Sequence, residues 1–374
     1  MRKSRASKIG LKVANDEACI CIDGIGKGAG ELTLSDWMIH WLEVYTRPCV
    51  GVSSHSAYYS IIHNHIAPAF SNVLLKDLNL DILQRFFNLK AVGGRADKVK
   101  DPATGELISK SGGLSTSTLS KMRMLILLAL DTAVDNSLIR TNVATKVRFA
   151  KERQPEIKIL TASQQKRLEN AALGDGRLLS FSILIALYTG LRIGEIAALK
   201  IEDIDLEGKM LYVRRSAKRV AVQGENTKTR IIVSAPKTEK GKRRIPLPDF
   251  LVSLLKEHIE ERRAYGRRIA MTNNAVDSGF LFVSRKGVGQ EQNQIRKHFA
   301  MLLEKAGLEH YKFHALRHTF ASRCMEAGFD IKSLSDILGH TDAKMTLRIY
   351  THSLEDQKRK NMEKLMAIYG GPPE

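Results

Sequence analysis

Residues Ala150 to Lys158 read AKERQPEIK: charged, interrupted by Pro155 and nearly without apolar side chains. Such a stretch has nothing to bury, so it is expected to link two packed units rather than run through one. A chain of 374 residues is long enough for both. Upstream, apolar residues recur at three- and four-residue steps from Glu31 to about Ala150, which predicts an all-helical domain. Ser35-Asp36 is expected to cap a helix carrying Trp37, Ile39, Trp41, Leu42 and Tyr45, with Pro48 beyond its end. Ser53 and Ser54 open a second helix that stops before Pro68, and Asn79 to Phe87 form a short third. Gly93 to Gly113 read as a loop or small hairpin, and Ser117-Thr118 start a long helix through Leu119, Met122, Leu125, Ile126, Ala129 and Ala133.

Downstream, the second domain is expected over 159–368. Leu178 to Tyr188 is apolar on every side, so that helix is buried, and Gly190 ends it. Asp203 to Val213 predict two strands around a Glu207-Gly208 turn. IIVSAP, KTEKGK and RRIPLP predict a second hairpin with Gly241 at its tip, and helices return after Val283. The fold class is therefore mainly α with a small antiparallel β-sheet. Residues 1–30 read as a basic arm or remnant appendage, 31–150 as a helical domain, 151–158 as linker and 369–374 as a disordered end.

Charge narrows the function. The chain carries a formal net charge of +19. Between Arg214 and Arg244 stand eleven basic residues against Glu225 and Glu239 alone. Charge this concentrated points to a polyanion, and nucleic acid is the commonest. No apolar run approaches the roughly 20 residues of a membrane span, and no signal peptide is visible. Cys19, Cys21, Cys49 and Cys324 show no disulfide framework spacing. The expected setting is a reducing, cytoplasmic compartment, with no membrane partner.

Several residues have an unusual place for their chemistry. Arg192 sits between two apolar helices, where an arginine is costly without a partner; Glu195, three residues on, is one candidate. His314, Arg317 and His318 cluster at the start of a helix whose stripe is Phe313, Leu316, Phe320, Cys324 and Ala327. Asp330 caps a further helix that Gly339 stops, so His340 is held at a helix end, and Tyr350 follows ten residues later. Attack by Tyr350 on a phosphodiester would gather negative charge on the nonbridging oxygens, which planar arginines such as Arg192 and Arg317 stabilise. A lysine, Lys237, could protonate the leaving 5′ oxygen, and histidines could hold the tyrosine proton.

In this order, TGLRIGE, APKTEKGKRRIPL, HALRH, LGH and RIYTH resemble the tyrosine recombinase (phage-type integrase) family, most of all integrases of conjugative transposons and related mobile elements. The resemblance implies catalytic roles for Arg192, Lys237, His314, Arg317, His340 and Tyr350, with Glu195 an acidic support behind them. It implies a 3′-phosphotyrosyl intermediate without ATP, cofactor or metal; no Walker loop or carboxylate cluster is visible. It implies a C-shaped two-domain clamp on double-stranded DNA, at element ends and a target site. It further implies a homotetramer on paired sites, with a tail after Tyr350 exchanged between protomers, and accessory DNA-bending proteins. Lys121, Arg123, Arg214, Arg215, Lys240, Lys242 and Arg243 are the expected DNA contacts, and the protein would be nucleoid-associated. Residues 1–30 are short for a complete arm-binding domain of such integrases.

Three other readings remain open at this point: a metal-dependent hydrolase using His314 and His318, an idle DNA-binding scaffold, and a type IB topoisomerase. The hydrolase reading lacks an HExxH glutamate, and Arg317 would repel the metal. If the basic segment meets phosphates, affinity for duplex DNA falls steeply with salt, log K against log[salt] being linear with a slope near −0.9 per contact. A flat response in a titration from about 50 to 200 mM salt would remove the phosphate contacts.

Overall fold

A computed structural model gives the architecture. It describes residues 30–94, 98–100, 107–109, 112–149, 157–221, 229–236, 239–273, 277–284, 286–340, 362 and 365. The expected arm apart from Gly30, most of the linker, Lys237, Tyr350 and the chain end lie outside the described residues. Of the expected tail only Met362 and Leu365 are described, and both are exposed. The chain divides into two compact units, Met1–Gln154 and Pro155–Glu374.

The first unit is helical: α1 (Leu34–Trp41), α2 (Val52–Ile61), α3 (Leu80–Gly93) and α4 (Thr116–Asp135). Its polar insertion forms the hairpin β1 (Lys98–Lys100) and β2 (Leu107–Ser109), paired antiparallel. The cap of α1 is Thr33, not Ser35 or Asp36. The Thr33 hydroxyl accepts from the Asp36 N–H at 3.1 Å, and Asp36 is the third helical residue, closing a capping box. Ser115 rather than Ser117 caps α4. Both tryptophans of the chain tie α1 to α4: Trp37 Nε1 donates to the Ala129 carbonyl at 2.8 Å and Trp41 Nε1 to Thr132 Oγ1 at 3.1 Å. Leu83, Phe87, Met122, Leu125 and Ile126 complete this core.

In the second unit α5 (Ala162–Leu173) precedes α6 (Phe181–Thr189), of which every residue but Tyr188 is buried. Gly190 ends α6 in the left-handed region at φ 63°, and a Cβ there would come within 2.5 Å of Phe320 Cδ1 and 2.9 Å of Leu338 Cδ2. Conformation and space both demand glycine. After α7 (Ile193–Ala197) come β3 (Ile204–Asp205), β4 (Met210–Val213), β5 (Ser216–Ala221), β6 (Thr229–Ser234) and β7 (Arg243–Pro246). The expected pairing of IIVS with RRIP is wrong. β6 pairs with β5, from Ser216↔Ser234 to Ala221↔Thr229, whereas β7 joins β4, with Leu211↔Ile245 and Val213↔Arg243. The basic SAKRVA segment hides a strand, and burying Ile245 beside Leu211 draws β7 to the open edge of β4.

The helix α8 (Asp249–Asn273), which the sequence pattern does not single out, buries Leu251, Leu255 and Ile259 at four-residue spacing. Then follow α9 (Gln292–Lys305), α10 (His314–Glu326) and α11 (Ile331–Leu338). Along α10 and its two caps, Phe313, Leu316 and Cys324 are buried as expected, but Phe320 is half-buried and Ala327, just past the helix, is exposed.

Both tryptophans lie in the first unit, so their fluorescence follows its unfolding. Leu125→Ala, at a fully buried position of α4, should lower the urea-unfolding free energy read by that signal by about 2–5 kcal/mol. A loss under 1 kcal/mol would show that the α4 face is not the centre of that core.

Candidate active site

Helix α11 is capped at its start by Asp330, whose Oδ1 accepts from the Ser333 N–H at 2.9 Å. It ends on Gly339 at φ 63°, with the His340 N–H donating back to the Ser335 carbonyl at 3.0 Å. That turn leaves the last carbonyls of the helix, where its dipole is negative, pointing outward for other donors. Three arginines take them. Arg243 Nε donates to the Ile337 carbonyl at 2.6 Å, and Arg317 Nη2 donates to that of Leu338 at 2.7 Å. Arg192 reaches the carbonyls of Leu338 at 3.4 Å and Gly339 at 3.2 Å. The second amino group of Arg317 donates to the Gly190 carbonyl at 2.8 Å, so two helix ends share one guanidinium.

A single carboxylate stands among them. Glu195 Oε1 accepts from Arg192 Nη1 and Arg243 Nη1, each at 3.0 Å. Its Oε2 accepts from the Arg192 backbone N–H at 2.8 Å and Arg243 Nη2 at 2.9 Å. Burial by itself would raise the Glu195 carboxyl; the hydrogen bonds and charge of Arg243, then those of Arg192, outweigh it and hold the group below the usual carboxylate range. Arg317 as a residue is 3% exposed and the side chain of Arg243 5%, whereas the side chain of Arg192 is 39% exposed. Arg192 is therefore the guanidinium that meets solvent, and its Nε–H has no acceptor among the described residues.

Histidines complete the cluster. His340 is buried, and burial followed by the charges of Arg317, Arg192, His314 and Arg243 pushes it down to about 4. The rings of His314 and His318 meet edge-on with centroids 4.6 Å apart. Desolvation, then His318 and the charges of Arg317 and Arg192, push His314 down to about 4, and desolvation followed by the charge of Arg317 lowers His318. At neutral pH the centre thus holds three guanidiniums, one carboxylate and uncharged imidazoles. That surplus of enclosed positive charge is the chemistry of an anion site. Among the described residues no group of three His, Cys, Asp or Glu side chains could hold a metal ion, and no helix is long and apolar enough to cross a membrane.

Of the residues singled out in sequence, Arg192, Glu195, His314, Arg317 and His340 come together; Lys237 and Tyr350 lie outside the described residues. The expected surface contacts behave differently from one another. Lys121, Lys240 and Lys242 are exposed. Arg123 is spent on structure, donating to the carbonyls of Ala144 at 3.3 Å and Thr145 at 2.8 Å. Arg215 pairs with Glu202 and Asp203 at 2.7 Å, and Arg214 lies 3.5 Å from Asp203 and over the Tyr212 ring. Arg243 faces inward and not the surface, so its place as an outer DNA contact is withdrawn. The alternation of β7 carries that signal: Arg243 lies two residues before buried Ile245, on the same face.

Comparison with known proteins follows the same lines. The family model described as "Phage integrase family" matches residues 158–357, and that of a "Phage integrase, N-terminal SAM-like domain" matches 33–90. A tyrosine recombinase XerC-like protein of Caldanaerobacter subterraneus subsp. tengcongensis is 28% identical, over 93% of this chain and 86% of its own. The transposase from transposon Tn916 of Enterococcus faecalis is 30% identical over 55% of this chain, which spans only 51% of that relative. The integrase of the Tn1549 transposon, solved in complex with a circular intermediate DNA, has the same fold. It superposes with a TM-score of 0.68 over 89% of this chain and 99% of its own, at 21% identity.

The depressed histidines give a pH prediction. An unfolded histidine titrates near 6.5, whereas folded His340 does so near 4, so between these values the unfolded state binds more protons. Stability contributed by neutral His340 is complete above about pH 6.5 and is lost as pH falls toward 4. Urea unfolding of His340→Asn should show a shallower loss than the natural chain across that window; parallel curves would mean that His340 titrates normally.

Proposed function

The chain belongs to the phage integrase family of tyrosine recombinases, and from that premise we propose that it cuts and rejoins DNA at specific sites to integrate and excise a mobile element. The observation that carries this reading is the arginine cluster at the end of α11, where solvent-facing Arg192 and buried Arg317 are held by one helix terminus with Glu195 behind them. A scissile phosphodiester placed against Arg192 would bring negative charge to the guanidinium surplus. As Tyr350 Oη bonds to phosphorus, the bond to the 5′ oxygen breaks and charge grows on the nonbridging oxygens, which the guanidiniums stabilise.

The tyrosine proton passes toward the His314 and His340 imidazoles, neutral and therefore able to accept it; the phosphate's negative charge offsets the arginines and raises their basicity. Lys237 gives the 5′ oxygen its proton. One phosphoester replaces another, so a partner strand's 5′ hydroxyl can reverse the step without ATP. The partners proposed are double-stranded DNA at element ends and target, with four protomers for the four cleavages of two duplexes. Lys121, Lys240 and Lys242 remain the proposed contacts to the DNA backbone, and DNA-bending accessory proteins would shape the sites.

The test is trapping on a nicked suicide duplex that carries the ends of the mobile element, read on a denaturing gel with EDTA present. The expected result is a covalent protein–DNA band that Tyr350→Phe abolishes while duplex binding persists. An equal band from Tyr350→Phe would assign the nucleophile elsewhere. Binding without any band would make the chain a scaffold with no cleavage chemistry.

A further inference from the structure

The side chain of Arg243 is almost wholly buried and makes four hydrogen bonds in the centre, and although Arg243 lies within the APKTEKGKRRIPL segment, that segment's expected role in cleavage falls on Lys237 and not on Arg243. Its two amino groups grip both oxygens of Glu195 at 3.0 and 2.9 Å, while its Nε donates to the Ile337 carbonyl at 2.6 Å. Its backbone is fixed in turn, because β7 pairs it with Val213 of β4. Three elements therefore meet on one guanidinium: α7 through Glu195, the sheet through β7, and the end of α11. With Arg192 supplying two more donors, Glu195 has a partner on all four of its lone-pair sites. A saturated carboxylate cannot turn, so the Arg192 group bonded to Oε1 cannot turn either.

We propose that Arg243 is a positioning residue for strand cleavage, which fixes Glu195 and the α11 terminus so that Arg192 presents its open N–H groups to the scissile phosphate. The inference rests on the reading of this centre as the phosphodiester site. Without Arg243, Glu195 keeps only the two Arg192 donors and is free to swing toward that guanidinium. The carboxylate then draws the arginine inward and cancels its charge. Lysine at 243 would restore the charge but not the two-pronged grip, so its rescue is partial.

Single-turnover adduct formation on the suicide duplex, at saturating DNA, tests this with Arg243→Gln, Arg243→Lys, Glu195→Gln and the Gln/Gln double variant. Arg243→Gln should slow cleavage on the order of 100-fold, the scale of a misplaced catalytic group, while DNA affinity stays within about threefold, less than one phosphate contact contributes. Arg243→Lys should fall between. The double variant should be no slower than the worse single one, because both act through the same carboxylate.

The pH profile separates positioning from mere folding. The groups facing Glu195 are Arg192 and Arg243, with His314 nearby. With Arg243 gone the buried carboxyl titrates higher, so Arg243→Gln should gain a rate limb that rises toward acid and that the double variant lacks. A normal rate at saturation with weakened binding would make Arg243 a DNA contact. Multiplicative losses would separate it from Glu195, and an unchanged profile shape would leave only a structural role. Each of these results overturns the proposal.

Amide exchange of the segment spanning residues 186–199 supplies an arm that needs no cleavage. The Arg192 N–H, bonded to Glu195 Oε2, should exchange faster in Arg243→Gln than in the natural chain, and unchanged protection would overturn the proposal by itself. If the natural chain forms no adduct, the recombinase reading fails while this arm still decides whether Arg243 holds Glu195.

Discussion

The free carbonyls at the end of α11 are the constraint from which the rest of the centre follows. A helix terminus offers several acceptors within one turn and a partial negative charge, and here three guanidiniums converge on it. Left to themselves, arginines packed this closely would repel. The terminus and Glu195 lower that repulsion without removing the positive surplus, and the two most enclosed arginines are thereby held rigid while Arg192 reaches solvent. Burial first, and the neighbouring charges after it, lower the proton affinity of His340, so that it stays uncharged well below neutral pH.

Much of this is legible in the residues alone. The capped, amphipathic runs define the helices of the first unit, and Gly190 and Gly339 mark the helix ends that they occupy. Spacing and caps place Arg192, Glu195, His314, Arg317 and His340 each near a helix boundary, but their grouping into one centre is what the family resemblance implies. Errors arise where short-range pattern does not decide. The Thr33 cap is hidden because Ser35-Asp36 offers a nearer alternative, although Asp36 is the other half of the same box. The partners of β6 and β7 are mistaken because adjacency in sequence favours a hairpin, whereas pairing is settled by which edge can bury Ile245.

Charge composition misleads in a different way. A run of basic residues gives the right polarity for the segment but cannot tell which cations face outward. Arg214 and Arg215 are tied to Asp203, itself almost wholly buried, and Arg123 holds a backbone turn. Arg243, grouped by sequence with its lysine neighbours, turns inward, because strand alternation and not local charge sets its direction. A net charge is a property of a surface only after the fold has chosen its surface.

Four acceptors that organise the arginines are main-chain oxygens, those of Gly190, Ile337, Leu338 and Gly339. Main-chain acceptors carry no signature in the residue alphabet. What selection must preserve at Ile337 is a direction of a carbonyl, and at the two glycines a sign of φ. The scaffold of this centre is thus written in backbone angles, and a chain could change the side chain at Ile337 widely while keeping its chemistry, yet lose it through one added methyl group at Gly190.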